Sequence, residues 1–261
     1  MGILNNVHIL VTRPAQQAEN LSNLITEQGG IPIRFPTLEI NPVDDNDHVK
    51  TVLANLDKFQ WVVFISVNAV NFALKANGGK IPQSMSVRFG AIGQATAQVL
   101  KDVGLSVELM PTNTFNSEAL LALPQMQQVE KQSFLIVRGE GGREELAKTL
   151  RSRGAEVHYL NVYKRVMPKT DSSELNRLLS RNKLNAVTIA SGEALQNLLA
   201  MVEHHHHNLL FAIPLIVISE RVRQIAADLG FKQIAVAINA SDTAILEAVM
   251  TSLKGGVEWP N

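Results

Sequence analysis

Short patterns in the first half of this chain recur in the second at a nearly constant distance. Val11-Thr12-Arg13, followed by an amphipathic stretch ending at Gly29, matches Ile136-Val137-Arg138 and Gly154 at an offset of 125. Phe64-Ile65-Ser66 matches Ile189-Ala190-Ser191, and Asn116-Ser117-Glu118-Ala119 matches Ser241-Asp242-Thr243-Ala244, both again at 125. Ala91-Ile92-Gly93 with Gly104 matches Val217-Ile218-Ser219 with Gly230 at 126. A repeat of that length exceeds a solenoid unit and equals a domain, so two similar lobes are expected rather than one large sheet.

The pattern inside each copy sets the class of fold. His8–Val11, Trp61–Ile65, Arg88–Ile92, Ser133–Val137, Ala186–Ile189 and Leu215–Ile218 are short apolar runs, interrupted by charge only at Arg88. Such runs are what strands buried on both faces require. Between them, Ala15–Gln28, Asn68–Lys75, Ala95–Val103, Arg143–Arg153, Glu193–Val202 and Glu220–Leu229 carry apolar residues at helical spacing. Gly29, Gly104, Gly154 and Gly230 stand where helices prefer to end. Strands alternating with helices over short connections predict an α/β fold with parallel sheets.

Composition removes several functions. The 261 residues hold 24 basic and 24 acidic side chains, so no general positive field exists for nucleic acid or a membrane surface. No cysteine is present, which excludes disulfides, thiolate metal sites and a cysteine nucleophile. Met1–His8 has no basic residue ahead of its apolar ones, and Gly2 lacks a Ser or Thr at Asn6. Neither a secretory signal nor a myristoylation site is read there. Trp61–Leu74, the longest uncharged apolar stretch, is too short to cross a bilayer. The expectation is a soluble, cytoplasmic protein.

Ligands of open parallel sheets bind outside the carboxyl ends of the strands, where helix N-termini gather. The recurring polar residues fall there: Arg13, Ser66, Gly93 with Thr96, Arg138, Ser191 and Ser219. Arg138-Gly139-Glu140-Gly141-Gly142-Arg143 follows a strand and opens a helix. Glu144 occupies the place of the last glycine of a dinucleotide fingerprint, and no phosphate-loop lysine follows, so a nucleotide site is not expected. Two readings of this turn stand: a holder of carboxylate or phosphate, or a glycine turn with exposed arginines. His204–His207 reads as a polar loop rather than a metal site, because adjacent histidines diverge. Tyr163, one of two tyrosines, precedes Lys164 and Arg165 and is open to two readings, functional hydroxyl or packed strand end. Neither a cofactor nor a metal is expected.

Taken in order, these motifs carry a family resemblance. Val11-Thr12-Arg13-Pro14, Phe64-Ile65-Ser66, Ala91-Ile92-Gly93 with Thr96-Ala97, Arg138–Arg143, Gly154-Ala155-Glu156-Val157 with Val162-Tyr163, Ser191-Gly192-Glu193 and Val217–Arg221 follow one another as they do in uroporphyrinogen-III synthases. The chain resembles that family from Val11 to about Ala248. One departure is Val222, where some members carry a threonine matching Thr96.

The resemblance implies two flavodoxin-like lobes joined by a two-strand ladder. Residues 1–38 with 166–261 would form one lobe and 43–161 the other, with 39–42 and 162–165 linking them. It implies a lyase of tetrapyrrole and heme biosynthesis that closes hydroxymethylbilane, a linear tetrapyrrole, in the cleft between lobes. Water is lost, and the last pyrrole is inverted. Arg13, Arg138, Arg143, Ser66, Gly93, Thr96, Gly139, Ser191 and Ser219 would hold the substrate, and Tyr163 would meet the departing hydroxyl. The implied protein is a monomer in transient contact with the preceding pathway enzyme, with no nucleic-acid or membrane partner. The contending reading is a two-lobed sensor for a small anion, without chemistry.

Overall fold

The structure is a computed structural model and describes residues 4–254. Met1–Ile3, and with them the reading of Gly2, lie outside the described residues, as do Gly255–Asn261. In chain order the strands are β1 (His8–Val11), β2 (Ile31–Arg34), β3 (Glu39–Pro42), β4 (Trp61–Phe64), β5 (Arg88–Ala91) and β6 (Val107–Leu109). Then come β7 (Ser133–Gly139), β8 (Glu156–Val166), β9 (Ala186–Ile189), β10 (Leu215–Val217) and β11 (Ile234–Val236). The helices are α1 (Ala15–Glu27), α2 (Asn46–Leu53), α3 (Val67–Ala76), α4 (Gln94–Asp102), α5 (Ser117–Leu121) and α6 (Glu145–Ser152). They continue with α7 (Ser173–Ser180), α8 (Gly192–Met201), α9 (His207–Phe211), α10 (Glu220–Leu229) and α11 (Asp242–Leu253).

Two compact units result, one from residues 1–39 with 166–261 and one from residues 40–165. The first is built on a five-stranded sheet in the order β11-β10-β9-β1-β2. Its strand pairs are parallel, with Leu10 opposite both Ile33 and Val187. Alternation along the strands sends Leu10, Val187 and Val217 to one face, under α7, α8 and α10. Ile9, Val11 and Ile216 go to the other, under α1 and α11. Each fully buried Leu, Ile or Val contributes about 1.5–3 kcal/mol, which is why continuous apolar runs were needed here.

The second unit has a six-stranded sheet, β3-β8-β7-β4-β5-β6. Val62 and Phe64 face a core shared with α2, α3 and α4, while Trp61 and Val63 face α5 and α6. Apart from the edge strand β3, the strand order repeats that of the first sheet, β7 and β8 standing where β1 and β2 stand. The repeated motifs become helix caps. Ser66 Oγ accepts from Ala69 N–H at 3.1 Å, and Ser191 Oγ accepts from Ala194 N–H at 3.0 Å. Asn116 caps α5 and Ser241 caps α11 in the same way. Each cap is worth about 1 kcal/mol and fixes where its helix begins.

One expectation fails locally. His204–His207 is not a loop: His204–His206 form a single 3-10 turn, and His207 opens α9. The turn holds because His206 is buried against α7 and His207 Nε2 lies 3.0 Å from the Leu199 carbonyl.

Candidate active site

The second unit is wound in two directions from its middle. From β4 the chain moves through α3 to β5 and β6, on one face; from β7 it moves through α6 to β8, on the opposite face. The loops leaving β4 and β7 therefore part, and a crevice opens at the carboxyl ends of the two strands. A cavity of about 500 Å³ lies there. Its apolar lining is Ile65 after β4, Ile92 after β5, Ile136 of β7, Phe115 and Leu146. Its polar lining is Asn116, Ser117, Arg138, Gly141, Gly142, Arg143, Tyr159 and Arg165.

The two arginines of the glycine-rich turn differ in kind. The Arg138 side chain is only 5% exposed and donates to Glu144 Oε1 at 2.9 Å. It also donates to the carbonyls of Gly139 and Gly141 and lies over the Tyr159 ring, 4.5 Å from its centre. Tyr159 Oη donates to the other Glu144 oxygen at 2.6 Å. Hydrogen bonds from Tyr159 and Arg138 hold the Glu144 carboxyl below its ordinary value, while burial and the bond to Glu144 push the Tyr159 phenol up. Arg138 thus braces the turn, in which Gly141 and Gly142 take positive φ. Arg143 is the opposite case. Its side chain is 73% exposed, and its nearest carboxylate, Glu118, is 3.9 Å away. It rims the cavity with a solvated cation over an apolar floor.

Tyr163, in β8, lines none of this cavity and belongs to the core on the other face of the sheet. It is 4% exposed, packs on Phe72 and places its hydroxyl 3.3 Å from Ser66 Oγ. Gly139 lies opposite it on β7, and a Cβ there would come within 2.3 Å of the Tyr163 ring. This glycine is required by close approach and not by its φ. Lys164, expected to flank the phenol, bonds Asp44 at 2.6 Å instead. Successive strand residues point to opposite faces, which separates the two.

The other expected residues spread over both units. Gly93 and Thr96 open α4 of the second unit, Gly93 in extended backbone as its cap and Thr96 buried in the first turn. Ser191 and Ser219 cap α8 and α10 in the first unit. Arg13, also in the first unit, is ion-paired with Asp242 and donates to the Ala240 carbonyl at 2.8 Å. The recurrence of Arg13 and Arg138 thus reflects two internal braces. Ser117 of the cavity and Asp242 are related by the 125-residue offset. Where the second unit keeps a serine and a cavity, the first has a carboxylate bonded to its arginine.

Sequence reasoning missed Tyr159 and Glu144. Glu144 had a signal, a carboxylate six positions after an arginine across a glycine turn, which brings the two ends together. Tyr159 had none beyond its alternation in a strand. Among the described residues, a grouping able to hold a metal ion lies in the first unit, at Glu203, His205 and His206.

An apolar crevice with a cationic rim, at the switch point of a parallel sheet, places the chain among α/β proteins whose sheet offers room for a small organic ligand. Within that class, the chain belongs to the uroporphyrinogen-III synthase family: the family model described as "Uroporphyrinogen-III synthase HemD" matches residues 19–247. The uroporphyrinogen-III synthase of Escherichia coli K12 is 34% identical over 245 residues, covering 92% of this chain and 99% of that protein. That of Salmonella typhimurium LT2 is also 34% identical, over the same shares. Among solved structures, a mutant uroporphyrinogen III synthase from Thermus thermophilus superposes with a TM-score of 0.66 at 15% identity. It covers 95% of this chain and 99% of that one, and at this identity it shows the two-lobed α/β fold alone.

Proposed function

We propose that this chain closes hydroxymethylbilane to uroporphyrinogen III, losing water and inverting the terminal pyrrole. The observation that carries the reading is the family match over residues 19–247. The comparisons give the non-catalytic sensor reading no support. In this reaction the pyrrole nitrogen expels the hydroxyl, which leaves as water on taking a proton, so no protein nucleophile is needed. The protein's task is to hold a flexible chain so that attack at the substituted carbon wins. Each tenfold preference between the two closures needs only about 1.4 kcal/mol, the work of a few oriented contacts.

The cavity suits part of such a substrate: flat apolar rings over Ile65, Ile92 and Ile136, with carboxylates reaching Arg143 and the polar edge at Asn116 and Ser117. In this reading Tyr163 donates toward the departing hydroxyl, relayed or positioned by Ser66. Gly93, Thr96, Ser191 and Ser219 would offer backbone N–H groups at helix starts to further carboxylates. The same reading makes the protein a cytoplasmic monomer that meets the enzyme supplying its substrate only transiently. Among the described residues no helix is long and apolar enough to cross a membrane.

The test is incubation of purified protein with hydroxymethylbilane, followed by isomer analysis of the oxidised product. The inverted isomer in excess is expected. The uninverted isomer alone, at the spontaneous rate, would end the proposal.

A further inference from the structure

The histidine run belongs to the first unit and lines no part of the candidate active site. His206 is 8% exposed, and its Nε2 lies 2.7 Å from Ser180 Oγ at the end of α7. The Ser180 hydroxyl has one proton and donates it to the Asn176 carbonyl at 2.8 Å. Toward His206 it can therefore only accept, so Nε2 carries the ring proton. Nδ1 is left as the lone-pair nitrogen, buried and without a hydrogen-bond partner. An orphaned acceptor in that position is costly. It is also the form of a histidine ligand whose second nitrogen is held by an outer group.

Two further donors stand beside it. His205 Nδ1 is 3.4 Å from Glu203 Oε2, and the other Glu203 oxygen accepts from Asn176 Nδ2 at 2.9 Å. One ligand atom from each of Glu203, His205 and His206 falls within 4.8 Å of the others. A tetrahedral ion with bonds of about 2.0–2.1 Å separates its ligands by about 3.4 Å. The Glu203–His205 pair already has that separation. Asn176 Oδ1, on the same network, is the second buried atom here without a partner.

We propose that Glu203, His205 and His206 form a site for one divalent transition-metal ion of the zinc type. Asn176 and Ser180 act as its outer shell, and the ion ties α7 to the turn before α9. Two imidazoles and one carboxylate suit zinc, cobalt or nickel better than calcium or magnesium. The site is independent of the tetrapyrrole reaction.

The test uses the full chain without an affinity tag, titrated with Zn²⁺ by calorimetry and with Co²⁺ by visible absorption. One Zn²⁺ per chain, a rise in melting temperature and the intense bands of tetrahedral Co²⁺ are expected. Glu203→Gln and His205→Ala should weaken binding at least tenfold, and Ser180→Ala about tenfold through the lost outer contact. His204→Ala should leave it unchanged, circular dichroism confirming that each variant is folded. No binding would overturn the proposal. So would equal loss in His204→Ala and His205→Ala with none in Glu203→Gln and Ser180→Ala, the behaviour of a bare histidine run.

Discussion

Tyr163 and Gly139 are a matched pair of residues across two strands. Gly139→Ala would drive a methyl group into the Tyr163 ring, which is walled by Phe72. Overpacking of this kind costs about 1–3 kcal/mol, so a lower urea midpoint with a displaced phenol and reduced activity is expected. Tyr163→Phe keeps the ring and removes the 3.3 Å hydroxyl contact with Ser66. It should leave the melting temperature within a few degrees of wild type and slow closure by about a hundredfold or less, since the leaving group is already activated. The product should remain the inverted isomer, and an unchanged rate would leave Tyr163 as packing. Glu144 gives a pH signature. Its carboxyl is held below the ordinary 4.5 by Tyr159 and Arg138, so the charged form stabilises the fold above that pH. The contribution disappears as pH falls through the lowered folded value. Urea unfolding of wild type and Glu144→Gln should therefore differ at neutral pH, and the difference should shrink as pH falls from 4.5 through the lowered folded value. The Tyr159 phenol, raised from 10.0, acts in the opposite range: its contribution is complete below that value and is lost as pH rises through the folded one.

At the scale of elements, the turn between β7 and α6 divides structure from binding. Arg138 is bonded to Glu144 and to two carbonyls inside the turn, whereas Arg143 projects from its edge. Arg138→Ala should lower the melting temperature, because it removes the buried guanidinium that holds the Glu144 carboxylate and the carbonyls of Gly139 and Gly141 together. Arg143→Ala should leave the melting temperature unchanged and raise KM about tenfold with kcat nearly constant, as for a contact equal in ground and transition states. Steady-state kinetics beside thermal melts separate the two. Equal effects of both variants on KM alone would show that Arg138 leaves its internal partners to meet substrate. The helix starts behave in the same double way. Ser66, Ser191 and Ser219 each use a hydroxyl lone pair on a cap, which leaves the hydroxyl proton and the backbone N–H groups beyond it for another acceptor.

For the whole molecule, the division of the chain matters more than any one contact. The second unit is continuous, residues 40–165, with cores on both faces of its sheet. The first is assembled from both ends of the chain, β1 pairing with β9 on one side and with β2 on the other. A fragment of residues 39–166 should therefore fold alone with a single cooperative transition, followed by circular dichroism in urea. A fragment ending at residue 38 should stay unfolded, because its two strands have no third to pair with. Much of the architecture was readable beforehand, for a local reason. His8–Val11 and Ala186–Ile189 are continuous apolar runs, and Glu220–Leu229 has helical spacing with Ser219 before it and Gly230 after. Those signals lie within a few residues of one another. Ile31–Arg34 was not legible, since at a sheet edge only part of each residue is covered and the apolar run breaks, and Glu39–Pro42 was reached through the family resemblance alone. The composition, spacing and order of motifs were enough for class and family. Which arginine braces a turn and which faces solvent was not, because Glu144, Asp242 and Tyr159 are brought to them only by packing. The same holds for His206: adjacency in sequence sends histidines apart, and it took α7, with Ser180 and Asn176, to set one nitrogen as a buried acceptor beside Glu203 and His205.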